Sequence, residues 1–379
     1  MAASFTASAI AVFARLRAAG PATRPQLCEA LGLSKPTMSL AIAELEESGY
    51  VSKIGMAQGD LGRRANVYRL ATGAGHVAAI DAGSTAIRIE LRTLDARMLY
   101  EASHALTDSQ RHLNEAMGSV IRQALTQARD KTVAEWGPLR AIGVAVPSRV
   151  HPDPGRQRDA PGLRDLFTQL PDLGDVPIVV ENNVNCAAMA EHAIGVAQGH
   201  DDFIFLQIGV KLGMGLVIGG QLIRGRSGGA GEISELPFPW LPGEAVSREA
   251  LENYISANAL MERVADNWPP DEPLPENPGA LFALSETGHS AALAHVRRHS
   301  EDVARIAAAC ISVLDPEILV LGGGVGGNPV LQEHVKRTLA KMGCGTPVAA
   351  SALKLDATLR GIGLIVTSQV ERTLMTGAA

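Results

Sequence analysis

The sequence predicts an α/β protein of two lobes, preceded by a small helical module at the N-terminus. Two apolar strand–Gly turn–strand patterns, which begin at His76 and Phe203 and lie about 125 residues apart, indicate two related sheets. At 379 residues, the chain is long enough for two or three domains. Residues 1–75 carry eight Lys/Arg and five Asp/Glu, whereas the remainder carries 26 and 35. A basic N-terminus on an acidic body favours an anionic partner for that module.

Cysteine usage and hydropathy limit the class of protein. The four cysteines are far apart and form no Cys-x-x-Cys pair, which argues against a disulfide framework and against a zinc site. We therefore expect a reducing, cytoplasmic environment. Arg15 and Arg17 interrupt the first apolar stretch, so it does not resemble a signal peptide. We expect no membrane partner, because no apolar run approaches the ~20 residues that span a bilayer.

The N-terminal module has the pattern helix, helix, turn, helix, hairpin. Its second helix is predicted over Pro25–Leu31, and its third runs from a cap at Ser34 to about Ser48. Alternating residues over 51–55 and 66–70 predict the two strands of the hairpin, with a polar loop between them. This is the arrangement of a winged helix-turn-helix domain, whose third helix fits the major groove of DNA.

We predict a DNA-binding domain over residues 1–72. Short polar side chains at the start of the third helix can reach base edges and phosphates, and two arginines on the hairpin loop suit a narrow minor groove or the flanking phosphates. The predicted double-stranded DNA contacts are Ser34, Lys35, Thr37, Ser39, Arg63 and Arg64. A small helical domain used for dimerisation or docking is the alternative interpretation.

Leu40 is unexpected on a recognition helix, where a polar or basic side chain is more usual. Two interpretations are open for it. Leu40 either contacts a thymine methyl group in the groove or is buried against a neighbouring helix.

Residues 76–379 form the second predicted domain, in which Gly-rich turns follow apolar strands. The first turn lies between Asp81 and Thr85, the second is predicted over Gly209–Gly215, and the third lies within Leu319–Gly327. Backbone N–H groups of such turns can face phosphates, although Gly-rich hairpins are also common in proteins that bind none. A fourth junction joins a strand predicted over Val176–Val180 to a helix predicted over Val184–Val196.

This fourth junction carries the clearest family signal. Ligands of open α/β sheets bind where the carboxyl end of a strand meets the start of a helix. Residues 179–188 lie at such a point and closely resemble the sugar-site motif of the ROK family (repressors, open reading frames and kinases). The family pattern is Glu-Asn-Asp, in which the Asp is the catalytic base of the sugar kinases, and Asn183 stands in its place. The resemblance covers nearly the whole chain and implies an actin-like, sugar kinase-type fold behind a winged helix-turn-helix domain.

The resemblance also implies a sugar pocket and a nucleotide site. The implied sugar ligands are Asn182, Asn183, Glu232, Glu235 and Glu252. The implied nucleotide-binding residues, which we interpret as vestigial, are Asp81, Gly83, Thr85, Gly209, Gly213, Gly322, Gly323 and Gly324. Glu235 replaces a His that binds zinc in some members, and residues 236–247 contain no Cys or His, so we expect no metal and no cofactor. Taken one at a time, each Glu is more readily explained as a solvated carboxylate, but their joint order behind Asn182 argues against that explanation.

The substitution at Asn183 decides the predicted function. An amide cannot accept a proton at neutral pH, and general-base catalysis contributes roughly 10²–10⁴-fold in rate. We therefore predict a DNA-binding regulator and repressor, not an enzyme, whose kinase-like domain senses a small sugar or polyol and in which the carboxylates disfavour a sugar acid. The resemblance implies a symmetric dimer or tetramer. The alternatives are an active ATP-dependent sugar kinase with an appended DNA-binding domain, in which Glu235 or Glu181 serves as the base, and a pure interaction protein.

Overall fold

The computed structural model describes residues 5–58, 64–107, 114–153, 175–236, 238 and 249–376. The N-terminal module contains three helices, α1 (Ala7–Ala19), α2 (Arg24–Leu31) and α3 (Lys35–Glu47). Its strands are β1 (Ala22–Thr23), β2 (Val51–Gln58) and β3 (Arg64–Leu70), which form an antiparallel sheet in the order β1-β3-β2. The predicted winged helix-turn-helix arrangement is confirmed.

Local signals in the module act as predicted. The Thr23 and Ser34 side chains cap α2 and α3 by accepting hydrogen bonds from the backbone N–H groups of Gln26 and Thr37. The hairpin is longer than predicted, because the strand ladder continues past a bulge after Lys53. The tip of the hairpin, which includes Arg63, lies outside the described residues.

Two five-stranded mixed sheets form the lobes and share one topology. Lobe 1 contains β4 (His76–Ala82), β5 (Ala86–Thr93), β6 (Met98–Ala105), β7 (Leu139–Val146) and β8 (Ile178–Asn182). Lobe 2 contains β9 (Phe203–Ile208), β10 (Leu212–Ile218), β11 (Gln221–Leu222), β12 (Ile318–Gly322) and β13 (Val348–Ala350). The orders are β6-β5-β4-β7-β8 and β11-β10-β9-β12-β13, with an antiparallel first half and a parallel second half in each sheet. The predicted repetition of the lobes is confirmed.

Helices cover both lobes. They are α4 (Glu115–Asp130), α5 (Asn183–Ile194), α6 (Ala250–Ile255), α7 (Ala257–Asp266), α8 (Pro278–Glu286), α9 (Ser290–Leu314), α10 (Gly323–Gly326), α11 (Pro329–Lys341) and α12 (Ala357–Thr376). The amphipathic segment that begins with α4 is not one continuous helix up to Trp136, because α4 ends at Asp130 and a separate 3-10 turn covers Ala134–Trp136. Helix α5 ends at Gly195 instead of continuing to Val196. Every helix in the described part of the chain is too short or too polar to span a lipid bilayer.

The C-terminal helix α12 joins the two domains. It packs on α5 and on strands β4 and β7, and Gly143 of β7 leaves the space that the Ile362 and Val366 side chains occupy. Further along α12, Val366 and Val370 enter the same hydrophobic core as Phe13 and Leu16 of α1. The N-terminal module therefore shares its core with lobe 1.

Candidate functional site

A cavity of about 310 Å³ lies between the two lobes. All five residues that the sequence suggested as sugar ligands line it, although they come from the junction of β8 and α5, from the 3-10 turn at Ile233–Glu235 with the residue before it, and from α6. These residues are Asn182, Asn183, Glu232, Glu235 and Glu252. The structure thus brings together side chains that are up to 70 positions apart in the sequence.

The two asparagines differ in what their side chains do. The Asn182 Oδ1 atom accepts hydrogen bonds from the backbone N–H groups of Val184 and Asn185, and its Nδ2 atom donates to the Ser148 carbonyl oxygen. Asn182 is therefore the N-cap of α5. The Asn183 side chain makes no hydrogen bond to any residue that the structure describes, and it lines the cavity. Asn183 is thus the amide that a bound polyol can use.

Both carboxylate oxygens of Glu181, one of the two alternative catalytic bases, already accept hydrogen bonds. Its Oε2 atom accepts a hydrogen bond from Arg224 Nε at 2.6 Å, and its Oε1 atom accepts from the Asn182 backbone N–H and from Asn185 Nδ2. The carboxylate is buried and is not part of the cavity wall. This geometry disfavours Glu181 as the base, because its carboxylate is held by these partners and does not line the cavity.

Four glutamates give the cavity its acidic character, namely Glu232, Glu235, Glu249 and Glu252. Burial raises the pKa of Glu232, and the carboxylates of Glu235 and Glu252 raise it further, whereas Arg149 and Lys211 oppose the shift. Glu252 is buried and accepts a long hydrogen bond of 3.4 Å from the Leu212 backbone N–H. Carboxylates in such a setting are good acceptors for sugar hydroxyl groups.

Sequence reasoning missed two cations in the cavity. Arg149 follows β7, and its guanidinium forms an ion pair of 3.1 Å with Glu235. Lys211 lies in the β9–β10 turn, and its Nζ atom donates to the Pro147 carbonyl oxygen at 3.0 Å. Both contacts cross from one lobe to the other, as the Arg224–Glu181 pair does. The cavity wall therefore contains basic as well as acidic side chains.

The Asp81 turn lies at the first predicted phosphate loop. Asp81 is buried, and its Oδ2 atom is 2.8 Å from a guanidinium nitrogen of Arg88, which also pairs with Asp356 at 2.9 Å. Burial raises the pKa of Asp81, and the Arg88 guanidinium opposes that shift. The Arg88 guanidinium thus pairs with the Asp81 carboxylate, which the family resemblance places near a metal–phosphate group. Gly83 and Thr85 lie in the same β4–β5 turn, where a Cβ on Gly83 would be 2.9 Å from the Ala86 carbonyl oxygen.

Several glycines of the other predicted nucleotide loops are explained by packing. Gly213 belongs to β10 instead of a loop, and a Cβ there would be 2.8 Å from Val184 of α5. A Cβ on Gly322 would be 2.3 Å from the Phe205 ring, and Gly323 has a positive φ of 83°. Gly324 faces open space, and Gly209 lies near its backbone N–H. Of these glycines, Gly324 is the one next to open space, whereas a Cβ on Gly209 would be 3.5 Å from the Gly324 backbone nitrogen.

The predicted DNA-binding residues that the structure describes lie at the N-cap of α3, on α3 and on β3. Lys35 and Ser39 are exposed on α3, whereas Ser34 Oγ and Thr37 Oγ1 are 2.8 Å apart and bond each other at the start of the helix. Arg64 is exposed at the first position of β3. Arg63 lies outside the described residues.

Family models agree with this architecture. Residues 77–368 match the model of the ROK family, and residues 9–52 match a model described as winged helix-turn-helix DNA-binding. The chain belongs to the ROK family. The ROK match covers both lobes and includes every residue that lines the cavity.

Two relatives are named as transcriptional regulators. The xylose repressor of Bacillus subtilis (strain 168) is 28% identical over 252 residues, which are 64% of this ROK chain and 64% of that protein. The chain therefore spans slightly less than two thirds of that relative. The DNA-binding transcriptional dual regulator NagC of Escherichia coli (strain K12) is 25% identical over 230 residues, which cover 60% of this chain and 56% of NagC.

Solved ROK structures include both regulators and kinases. A ROK family transcriptional regulator, described as a homolog of the E. coli MLC protein, matches with a TM-score of 0.72 over 97% of this chain and 96% of its own, at 17% identity. The ROK hexokinase of Thermus thermophilus matches with a TM-score of 0.60 over 76% of this chain and 97% of its own, at 25% identity. Because one fold serves both functions, the site chemistry must distinguish them.

Proposed function

We propose that this ROK protein is a cytoplasmic DNA-binding repressor whose interlobe cavity senses a small sugar or polyol without phosphorylating it. The observation that carries the proposal is the shared core between the winged helix-turn-helix module and the lobe that borders the cavity. The curated relatives are named as repressors, and one is named for xylose, which makes D-xylose the first effector to test.

The cavity is better suited to binding than to phosphoryl transfer. Transfer to a sugar needs a group that takes the hydroxyl proton, and the Asn183 amide cannot do so at neutral pH. The Glu181 carboxylate is held by Arg224, and the Glu235 carboxylate is held by Arg149. On the nucleotide side, Asp81 is already neutralised by Arg88. Each of these contacts favours a sensor over a kinase.

Helix α12 is the proposed route from the cavity to the DNA-binding module. At its N-terminal end, the Thr358 hydroxyl donates to the backbone carbonyl of Asn183 at 3.3 Å. Toward its C-terminal end, Glu371 forms a 2.6 Å ion pair with Arg17 of α1. The 13 positions between Thr358 and Glu371 correspond to about 20 Å of helix. A movement of α5 on cleft closure would therefore reach α1 through one rigid element.

A change in the position of α1 matters most in a dimer. Two recognition helices must match two half-sites about one helical turn of DNA apart, so a small rotation of each module changes the spacing. We propose that the protein binds its operator as a homodimer or as a dimer of dimers, and that the sugar biases the module positions by binding one cleft conformation more tightly.

Full-length protein tests this function in three linked assays. A duplex is first selected from a random-sequence DNA library, and its binding is measured by fluorescence anisotropy at several salt concentrations. We expect steeply salt-dependent binding, because phosphate contacts release counterions. A thermal-shift screen with D-xylose, D-glucose and N-acetyl-D-glucosamine then identifies a ligand, since binding to the folded state raises its stability.

The third assay decides between sensing and catalysis. ADP release is followed with ATP and each sugar of the panel, and we expect no turnover above the rate without protein. Sugar-dependent ADP release that is lost in Glu235→Gln would instead support the sugar kinase. Failure to retain any duplex during selection would exclude the DNA-binding regulator and leave an interaction protein.

A further inference from the structure

The exposed face of α3 carries a large apolar side chain where a recognition helix more usually has a polar or basic one. Leu40 is 72% exposed, which makes it the most exposed large hydrophobic side chain of the described part of the N-terminal module. The interpretation that Leu40 is buried against a neighbouring helix is wrong. The inward face of α3 is filled by Met38, Ala41, Ile42 and Leu45.

Leu40 lies at the centre of a compact, outward-facing patch. Pro36 and Ala43 are also exposed and lie four and three positions from it, so they share one face of the helix, and the exposed Ser39 is its neighbour in the sequence. Toward the C-terminus, this face reaches Glu47, whose carboxylate would be repelled by DNA phosphates. Only the first three turns of α3 can therefore approach a groove closely.

Groups that hydrogen-bond base edges are scarce in these turns. Ser34 and Thr37 bond each other, and Glu44 accepts hydrogen bonds from the backbone and hydroxyl of Thr6 in α1. Lys35 and Ser39 are exposed nearer the start of α3, but residues 40–47 contain no Arg, Lys, Asn or Gln, the side chains that make bidentate contacts to guanine or adenine. The apolar group that DNA presents in the major groove is the C5 methyl of thymine. Leu40 and Ala43 match that group in polarity and size.

We propose that Leu40, supported by Ala43, determines operator specificity by contacting thymine methyl groups in the major groove. The inference rests on the proposed DNA-binding function and adds the base that the helix reads. Half-sites should therefore contain thymine at the step that faces the second turn of α3. Discrimination at that step comes from a methyl contact and not from a hydrogen bond.

Deoxyuridine substitution tests this contact directly, because it removes only the methyl group of thymine. Duplexes selected by the full-length protein from a random library are resynthesised with deoxyuridine at one thymine position at a time. We expect about a fourfold loss of affinity at one or two positions of each half-site, the factor that corresponds to roughly 0.8 kcal/mol for one buried methyl group. The remaining thymines serve as internal controls and should tolerate deoxyuridine.

The variant Leu40→Ala completes a double-mutant cycle. Leu40 is exposed, so its truncation should leave the fold intact, and circular dichroism checks this. We expect Leu40→Ala to bind the thymine duplex about as weakly as the wild type binds the deoxyuridine duplex, with no further loss on substitution. Met56→Ala, which truncates a 60% exposed side chain on β2, is the matched control and should keep the full sensitivity.

The outcomes separate this inference from the function on which it rests. If the wild type and Leu40→Ala both bind the selected duplex and both lose the same affinity when deoxyuridine replaces thymine, the methyl contact alone is overturned. Selected sites that contain no recurring thymine would overturn it as well. A protein that selects no duplex at all would overturn both proposals.

Discussion

Gly361 of α12 lies so close to Cys186 of α5 that a Cβ atom on Gly361 would be 1.8 Å from the Cys186 carbonyl oxygen. The two helices cross at this point, between the cavity and the DNA-binding module. Helix α12 can approach α5 this closely only because residue 361 has no side chain. The crossing therefore fixes the position of the helix that we propose as the coupling element.

Gly361→Ala should separate the two helices and destabilise the protein by about 1–3 kcal/mol, the usual cost of overpacking. Chemical denaturation midpoints measure the change. Gly363→Ala is the matched control two residues further on, since its Cβ would make an ordinary 3.7 Å contact with Ala79. In the control, alanine should be neutral or stabilising by up to about 1 kcal/mol, because it favours the helix. Equal effects at both positions would contradict the close crossing.

Glu371→Gln removes the ion pair between α12 and Arg17 of α1. We expect a stability loss of no more than about 1 kcal/mol, because both partners retain solvent contact. The effect of a bound sugar on DNA affinity should fall by at least half, since the rigid connection to α1 is weakened. Anisotropy titrations with and without the sugar that gives the largest thermal shift measure this.

Glu333→Gln is the control for that experiment. It breaks an exposed ion pair with Arg337 on α11, far in the sequence from α1 and α12, and should leave the sugar response unchanged. If Glu371→Gln and Glu333→Gln respond to sugar equally well, α12 does not transmit the signal through Arg17.

Asn183→Ala should weaken sugar binding by about two- to tenfold, the range for one neutral hydrogen bond, and should leave thermal stability nearly unchanged without sugar. Asn182→Ala should instead lower stability by about 1 kcal/mol, because it removes the N-cap of α5. Calorimetric titration and thermal melts measure the two effects. Asn183 would lose its proposed role as a ligand if its truncation left sugar affinity intact.

Glu232→Gln should stabilise the protein at neutral pH. The pKa of Glu232 is raised by burial above its ordinary value of 4.5, so the folded state is penalised once the carboxyl group ionises. Below pH 4.5 the group is protonated in both states, and the penalty is absent. The melting temperature of the variant relative to wild type should therefore rise with pH from about 4.5 through the raised pKa and then level off. A difference that is flat, or that falls with pH, would contradict the buried setting of Glu232.

Local patterns predicted most of the fold because they depend on neighbouring residues. Thr23 and Ser34 cap helices as expected, and the two Gly-turn hairpins correctly indicate two lobes. Strand β6 was not predicted, because its alternation of exposed and half-buried residues lacks a strong apolar face. The core shared by Val366 and Phe13 depends on the packing of residues more than 300 positions apart, which no local pattern encodes.

The site was predictable to the extent that its residues belong to ordered motifs. Glu232 and Glu252 were found in this way, and both line the cavity. Arg149 and Lys211 were missed because they lie in turns that only the apposition of the lobes brings together. Arg88 was missed for a similar reason. It lies opposite Asp81 on the neighbouring strand β5, and its position in the sequence indicates only an ordinary strand residue.

The most direct test of the account is the DNA affinity of the full-length protein measured with ATP present, before and after addition of the sugar that raises its melting temperature most. We predict that the sugar changes the dissociation constant of the selected duplex by at least about fivefold and is recovered unphosphorylated. A sugar that binds but leaves DNA affinity unchanged, or that is converted to a sugar phosphate at an enzymatic rate, would contradict it.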